Sequence, residues 1–218
     1  MHKKNFIVIL IVLGVAIIAY PTSESLYYGY QQKNVIEQIN SLERVYEQRV
    51  NIENSGVDEG EVDNTNSHDH SLDNEKDNGT NELSTIPVED IIGIIQIPSI
   101  ELYLPLFSKI DDYYLQIGPC KMESTSNIGE IGNCVIAGHR NYRYGDQFNR
   151  LNELMEDDIV IIEKNGEEYR YTIEEKFIVE ASEMWVTDDI EGDKVLTLIT
   201  CHPIDTGEKR LIIRGRLQ

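Results

Sequence analysis

"IVIIEKNGEEYRYTI", Ile159 to Ile173, decides the fold. Two β-branched runs flank Asn165-Gly166, a dipeptide that readily takes the positive φ angles a two-residue hairpin loop requires. A β-hairpin is therefore expected here. The same texture extends in both directions. "IIGIIQIP", "LYLPLF" and "NCVIAGH" lie upstream, and "KFIVE", "KVLTLITC" and "RLIIRGRL" lie downstream. All are short apolar runs bounded by turn residues. Together they predict an all-β domain from Ile86 to Gln218, with seven to eight strands. One helical turn is expected around Asp111 to Ile117 and another around Gln147 to Leu154. A closed or nearly closed β-barrel is the architecture that leaves no strand edge exposed.

The first 85 residues have a different composition. Phe6 to Tyr20, "FIVILIVLGVAIIAY", is uncharged and apolar and follows Lys3 and Lys4. It is shorter than the roughly 20 residues of an ordinary span. Flanking residues and a thin bilayer extend it, and "AIIAYPTSES" lacks a clear small-x-small cleavage site. Residues 1–22 therefore read as a cytoplasmic start and an uncleaved signal-anchor helix, with a cleaved signal peptide as the alternative. Basic residues stay inside, so everything after the anchor is expected outside the cell membrane. Residues 23–50 place Val35, Ile39, Leu42 and Tyr46 at helical spacing and read as a juxtamembrane helix. Residues 51–85 carry ten acidic side chains against Lys76 and almost no large apolar residue. Such a stretch buries too little surface to order itself and reads as a disordered acidic linker. His68 and His70 flank Asp69 there, two imidazoles with too few further ligands for a metal site.

The 218-residue chain has 19 Lys and Arg against 39 Asp and Glu, a net charge of −20. Removing the linker's −9 leaves −11, so the globular part is acidic as well. No basic footprint for nucleic acid is present. Three cysteines, Cys120, Cys134 and Cys201, leave at least one thiol unpaired in an exported chain. Cys134 has the parity of a core position, and Cys120 and Cys134 are expected to remain free thiols.

Cys201 ends "TLITC", and strand alternation puts it on one face with Thr197 and Ile199, with Leu196, Leu198 and Thr200 on the other. By itself, a free cysteine at such a place is more often a small buried hydrophobe, and His139, at the end of "NCVIAGH", is more often structural. Arg210, Arg214 and Arg216 share one parity in the last run, unless Gly215 introduces a bulge. Three cations on one face supply a positive locus that stabilises a thiolate or an oxyanion.

"TLITC", with "AGH" upstream and "EKR" downstream, resembles the signature of the sortase family, membrane-anchored cysteine transpeptidases of Gram-positive bacteria. The likeness runs from Ile86 to Gln218, and "CHP" with "EASEMWVTD" is most like class D. The resemblance implies Cys201 as nucleophile, His139 as general acid/base and Arg210 as the oxyanion-stabilising cation, with Arg214 the other candidate. It implies substrate contacts at Thr200, Ile199, Val186 and Ile212. Ser124, Asn127 and Ile131 stand where some sortases carry acidic calcium ligands, so no metal or other cofactor is expected. The implied partners are secreted proteins with an LPxTG-like sorting signal and a peptidoglycan amine as acceptor. Two further readings remain open: a cysteine endopeptidase that uses water, and a non-enzymatic β-barrel binding module with a buried thiol.

Overall fold

The computed structural model describes residues 23–44, 86–140 and 147–218, with Gly14 alone among the first 22. The expected anchor and acidic linker, and with them Tyr46, His68 and His70, lie outside the described residues. Among the described residues, no helix is long and apolar enough to cross a membrane.

The described residues form eight strands: β1 (Ile91–Ile97), β2 (Leu102–Phe107), β3 (Cys120–Lys121), β4 (Gly132–Ala137), β5 (Ile159–Lys164), β6 (Glu167–Glu180), β7 (Lys194–His202) and β8 (Lys209–Leu217). They close into a barrel in the order β1-β2-β3-β4-β7-β8-β6-β5, and β5 pairs back onto β1. The hairpin forms where the sequence places it. Asn165 and Gly166 take φ of 54° and 77°, and Lys164 pairs with Glu167. "KFIVE" is not a separate strand: it continues β6, whose 14 residues absorb an irregularity between Ile173 and Glu175. The bulge anticipated at Gly215 thus falls on the neighbouring strand. Gly215 pairs with Ile173, and a Cβ there would lie 2.8 Å from the Thr172 carbonyl oxygen. Two pairings are parallel, β2 with β3 and β4 with β7.

Alternation fills the barrel. Cys134 and Ile136 of β4, Leu196 and Leu198 of β7, Leu211 and Ile213 of β8, and Tyr171 and Ile173 of β6 meet in one cluster with Phe148 and Leu151. Their odd or even partners face outward. Gly93 marks a close approach of β1 to β5, because a Cβ there would run into the Glu163 carbonyl oxygen. Backbone cannot yield as a side-chain tip can. Gly93→Ala is expected to cost about 2 kcal/mol, read as a lower urea midpoint with an unchanged slope.

Residues 23–44 form helix α1, and Asp112–Ile117 form helix α2. Asp111 caps α2, accepting from Tyr113 N (2.8 Å) and Tyr114 N (3.3 Å). A second apolar cluster joins α1 to the barrel wall: Val35 and Ile39 pack with Ile94, Phe107, Tyr114, Ile117 and Cys120. Gln32 Nε2 donates to Ile117 O at 2.6 Å. The helical stripe is narrower than its spacing suggests, since Leu42 is exposed.

Candidate active site

The outward faces of β4, β7, β8 and β6 adjoin, and Cys201 and Arg210 lie at one end of them. Cys201 is the penultimate residue of β7 and pairs directly with Arg210 of β8. Ile199 pairs with Ile212, and Thr197 with Arg214. β4 runs parallel to β7, with Ala137 opposite Ile199 and Gly138 N donating to Ile199 O at 3.1 Å. Continuing that register by two residues brings His139 level with Cys201.

Each neighbour fixes a piece of this arrangement. Gly138 is glycine because Phe148 fills the space: a Cβ would lie 2.7 Å from its ring. Phe148 N in turn donates to His139 O at 3.0 Å. The Gln116 amide nitrogen of α2 lies 3.4 Å from His139 Nε2. Gln147 Nε2 holds the end of α2 by donating to Leu115 O (3.1 Å) and Gln116 O (3.0 Å). The β7–β8 loop folds back on the thiol through Gly207, whose positive φ of 64° suits glycine, and a Cβ there would lie 3.8 Å from Cys201 Sγ.

The three arginines of β8 share a face but not a role. Arg216 pairs with Glu174 at 3.0 Å and with Asp193. Arg214 pairs with Glu175 at 3.5 Å and sits over the stacked rings of Phe177 and Trp185, 5.5 and 5.9 Å from their centres. Arg210 donates only to backbone, to Gly207 O at 2.8 Å and Lys209 O at 2.9 Å. Among the described residues it has no carboxylate partner, so its charge is available beside Cys201.

The expected substrate contacts divide. Ile199 is half-buried on the outer face, whereas Ile212 (0% exposed) and Val186 (3%) lie beneath that surface. Val186 belongs to the 3-10 turn Met184–Thr187, held down by Asn133 Nδ2, which donates to Val186 O (3.0 Å) and Asp188 O (3.1 Å). Thr200 departs from the expectation. It faces inward, is 2% exposed, and its hydroxyl donates to Gly138 O at 2.8 Å. That bond ties the strand end carrying Cys201 to the one carrying His139. Thr200→Val is expected to lose about 1 kcal/mol of stability and to lower turnover several-fold, checked by thermal unfolding and steady-state rates.

Cys120 and Cys134 are free and buried, and burial pushes both thiols up to about 12. Cys201 is also free but only partly covered. Among the described residues, no group of three or more His, Cys, Asp or Glu side chains is placed to hold a metal ion. Sequence reasoning passed over Arg140, Gln116, Gln147 and Asn133. Arg140 alone carried a signal, as a cation directly following His139.

A half-open thiol level with an imidazole and beside an unpaired guanidinium suits enzymes that pass an acyl group through a thioester. The chain belongs to the sortase family, cysteine transpeptidases, whose domain model matches residues 95–218. It is 26% identical over 212 residues to sortase A of Bacillus anthracis, covering 96% of this chain and 91% of that protein. It is 28% identical over 147 residues to sortase D of Bacillus subtilis, covering 66% and 72%. Among solved structures, sortase A of Listeria monocytogenes matches with a TM-score of 0.55 at 28% identity, covering 59% of this chain and 88% of that one. A sortase D5 transpeptidase of Clostridium perfringens matches at 0.54 and 28%, covering 59% and 79%.

Proposed function

We propose that the protein cleaves an LPxTG-like sorting signal between its Thr and Gly and joins the freed threonine carbonyl to a peptidoglycan amine. The observation that supports this reading is the pairing of Cys201 with Arg210 across β7 and β8, beside the parallel β4 strand that ends two residues before His139. In this mechanism the Cys201 thiolate attacks the threonine carbonyl carbon. Arg210 holds the negative charge that develops on oxygen. As the C–N bond breaks, His139 gives a proton to the departing glycine amine, leaving a thioester on Cys201. The acceptor amine then attacks the thioester and loses its proton to His139, and the thiolate leaves. The signal's Leu and Pro lie along Ile199, over Ile212 and Val186. Residues 1–22 anchor the chain in the cell membrane in a single pass, N-terminus inside, and residues 51–85 tether the barrel outside. The class D reading rests on "CHP" and "EASEMWVTD", and the relatives above include both sortase A and sortase D.

The test is incubation of the full chain with an LPxTG-type peptide, with and without added amine. The expected result is a thioester adduct by mass and an amide product that appears only with amine. Free acid alone under both conditions would replace transpeptidation by an endopeptidase that uses water. No cleavage together with a Cys201 inert to alkylation would leave the binding-module reading.

A further inference from the structure

Arg140 follows His139 directly, and the chemistry above does not use it. Its guanidinium bridges two segments. Nε donates to Asn149 O (3.3 Å) and Nη2 to Asn152 Oδ1 (2.8 Å), both in the 3-10 turn Phe148–Glu153. Nη1 donates to Cys201 O (3.3 Å) and lies 3.0 Å from His202 Nδ1. Because arginine only donates, that contact requires His202 to keep Nδ1 unprotonated. A lysine has no planar fork to hold both segments at once.

All four acceptors are neutral when His202 is. Among the described residues, Arg140 has no carboxylate partner, whereas Arg150, Arg170, Arg214 and Arg216 each have at least one. The described groups that hold its charge, half-buried, do not cancel it. Burial pulls its pKa down, and the negative form of Cys201 pushes it back up. Among the described residues, the other charged or titratable groups around the thiol are His139 at the end of β4, His202 on β7, Arg210 and Lys209 on β8, and Asp205 and Glu208 in the connecting loop. Lys209 is paired with Glu180 at 2.8 Å.

We propose that Arg140 is a positioning residue that locks the Cys201 end of β7 to the His139 end of β4 and sets a positive charge behind the thiol, leaving Arg210 to the substrate oxygen. This rests on Cys201 being the reactive thiol. The proposal divides the work of two cations. Arg140 acts on the resting enzyme through the backbone of Cys201, and Arg210 acts on the charge that develops during reaction.

The experiment is the pH profile of iodoacetamide alkylation of the full chain, followed by mass at Cys201. Cys120 and Cys134 are too buried, and too weakly acidic, to compete. R140Q is expected to raise the alkylation midpoint by about one pH unit. A residue that only held the fold would lower stability or turnover and leave the midpoint in place. A folded R140Q with the wild-type midpoint therefore overturns the proposal. Should R140Q fail to fold, N152D decides. It keeps the guanidinium and adds a counter-charge beside it, so the midpoint is expected to rise, and an unmoved midpoint overturns the proposal. A wild-type Cys201 that resists alkylation would sink both the thiol reading and this one, whereas a normal wild-type profile with unshifted variants sinks only the role of Arg140.

Discussion

Cys201→Ala is expected to abolish the thioester adduct and to lower cleavage of a sorting-signal peptide by roughly four orders of magnitude or more. Stability should hardly change. Cys201 lies on the outer face of β7 and is not among the barrel's core side chains, so removing its sulfur opens no sealed cavity. Cys201→Ser separates shape from reactivity. It keeps a donor of nearly the same size, but a hydroxyl is far less acidic than a thiol, and His139 would have to remove its proton in the step itself. The serine variant is therefore expected to bind peptide like wild type and to turn it over no faster than the alanine variant. Binding by fluorescence anisotropy and product by chromatography check the two halves separately. Cleavage surviving in Cys201→Ala would remove the thioester from the mechanism.

The second large effect separates two arginines on one strand face. Arg210→Ala is expected to lower kcat roughly 10²- to 10³-fold, the range for losing one donor to a developing oxyanion. Among the described residues Arg210 has no carboxylate partner, and it pairs with Cys201, so its loss removes a charge and breaks no described ion pair. Arg214→Ala should behave differently. That guanidinium is engaged with Glu175, Phe177 and Trp185, four residues along β8 from Arg210, so its removal loosens the turn carrying Val186. A raised KM with kcat within about tenfold is expected. If Arg214→Ala lost more kcat than Arg210→Ala, the oxyanion role would pass to Arg214.

Much of the barrel is legible along the chain because the information is local. Asn165-Gly166 specifies its own turn, and alternation in β7 and β8 sorts Leu196, Leu198, Leu211 and Ile213 inward from Cys201 and Arg210 outward. The same parity placed Thr200 with Leu196 and Leu198, on the face the structure buries. What was not legible depends on partners distant in sequence. Two residues, Cys120 and Lys121, become β3 only because Phe107 and Ala137 lie on either side. Three arginines of equal parity look alike until Glu174, Glu175 and Asp193 neutralise two of them. α1 displays a helical stripe, but nothing in its spacing says that Phe107, Tyr114 and Ile117 supply the surface it covers. Arg140 hides for the same reason, since its acceptors come from Asn149, Asn152 and Cys201.

The parallel pairing of β4 with β7 also bears on when the site comes into being. Antiparallel neighbours can zip from a tight loop, but β4 and β7 are separated by β5, β6 and their connections, which must be laid down first. Pairs of such long sequence separation form late, because the loop-closure entropy is lost before the contact repays it. His139 and Cys201 therefore become neighbours only as the last strands close the ring. A partly folded chain holds a thiol and an imidazole that have not met. Catalytic competence should regain its full value in step with barrel closure during refolding, lagging behind the Asn165-Gly166 hairpin.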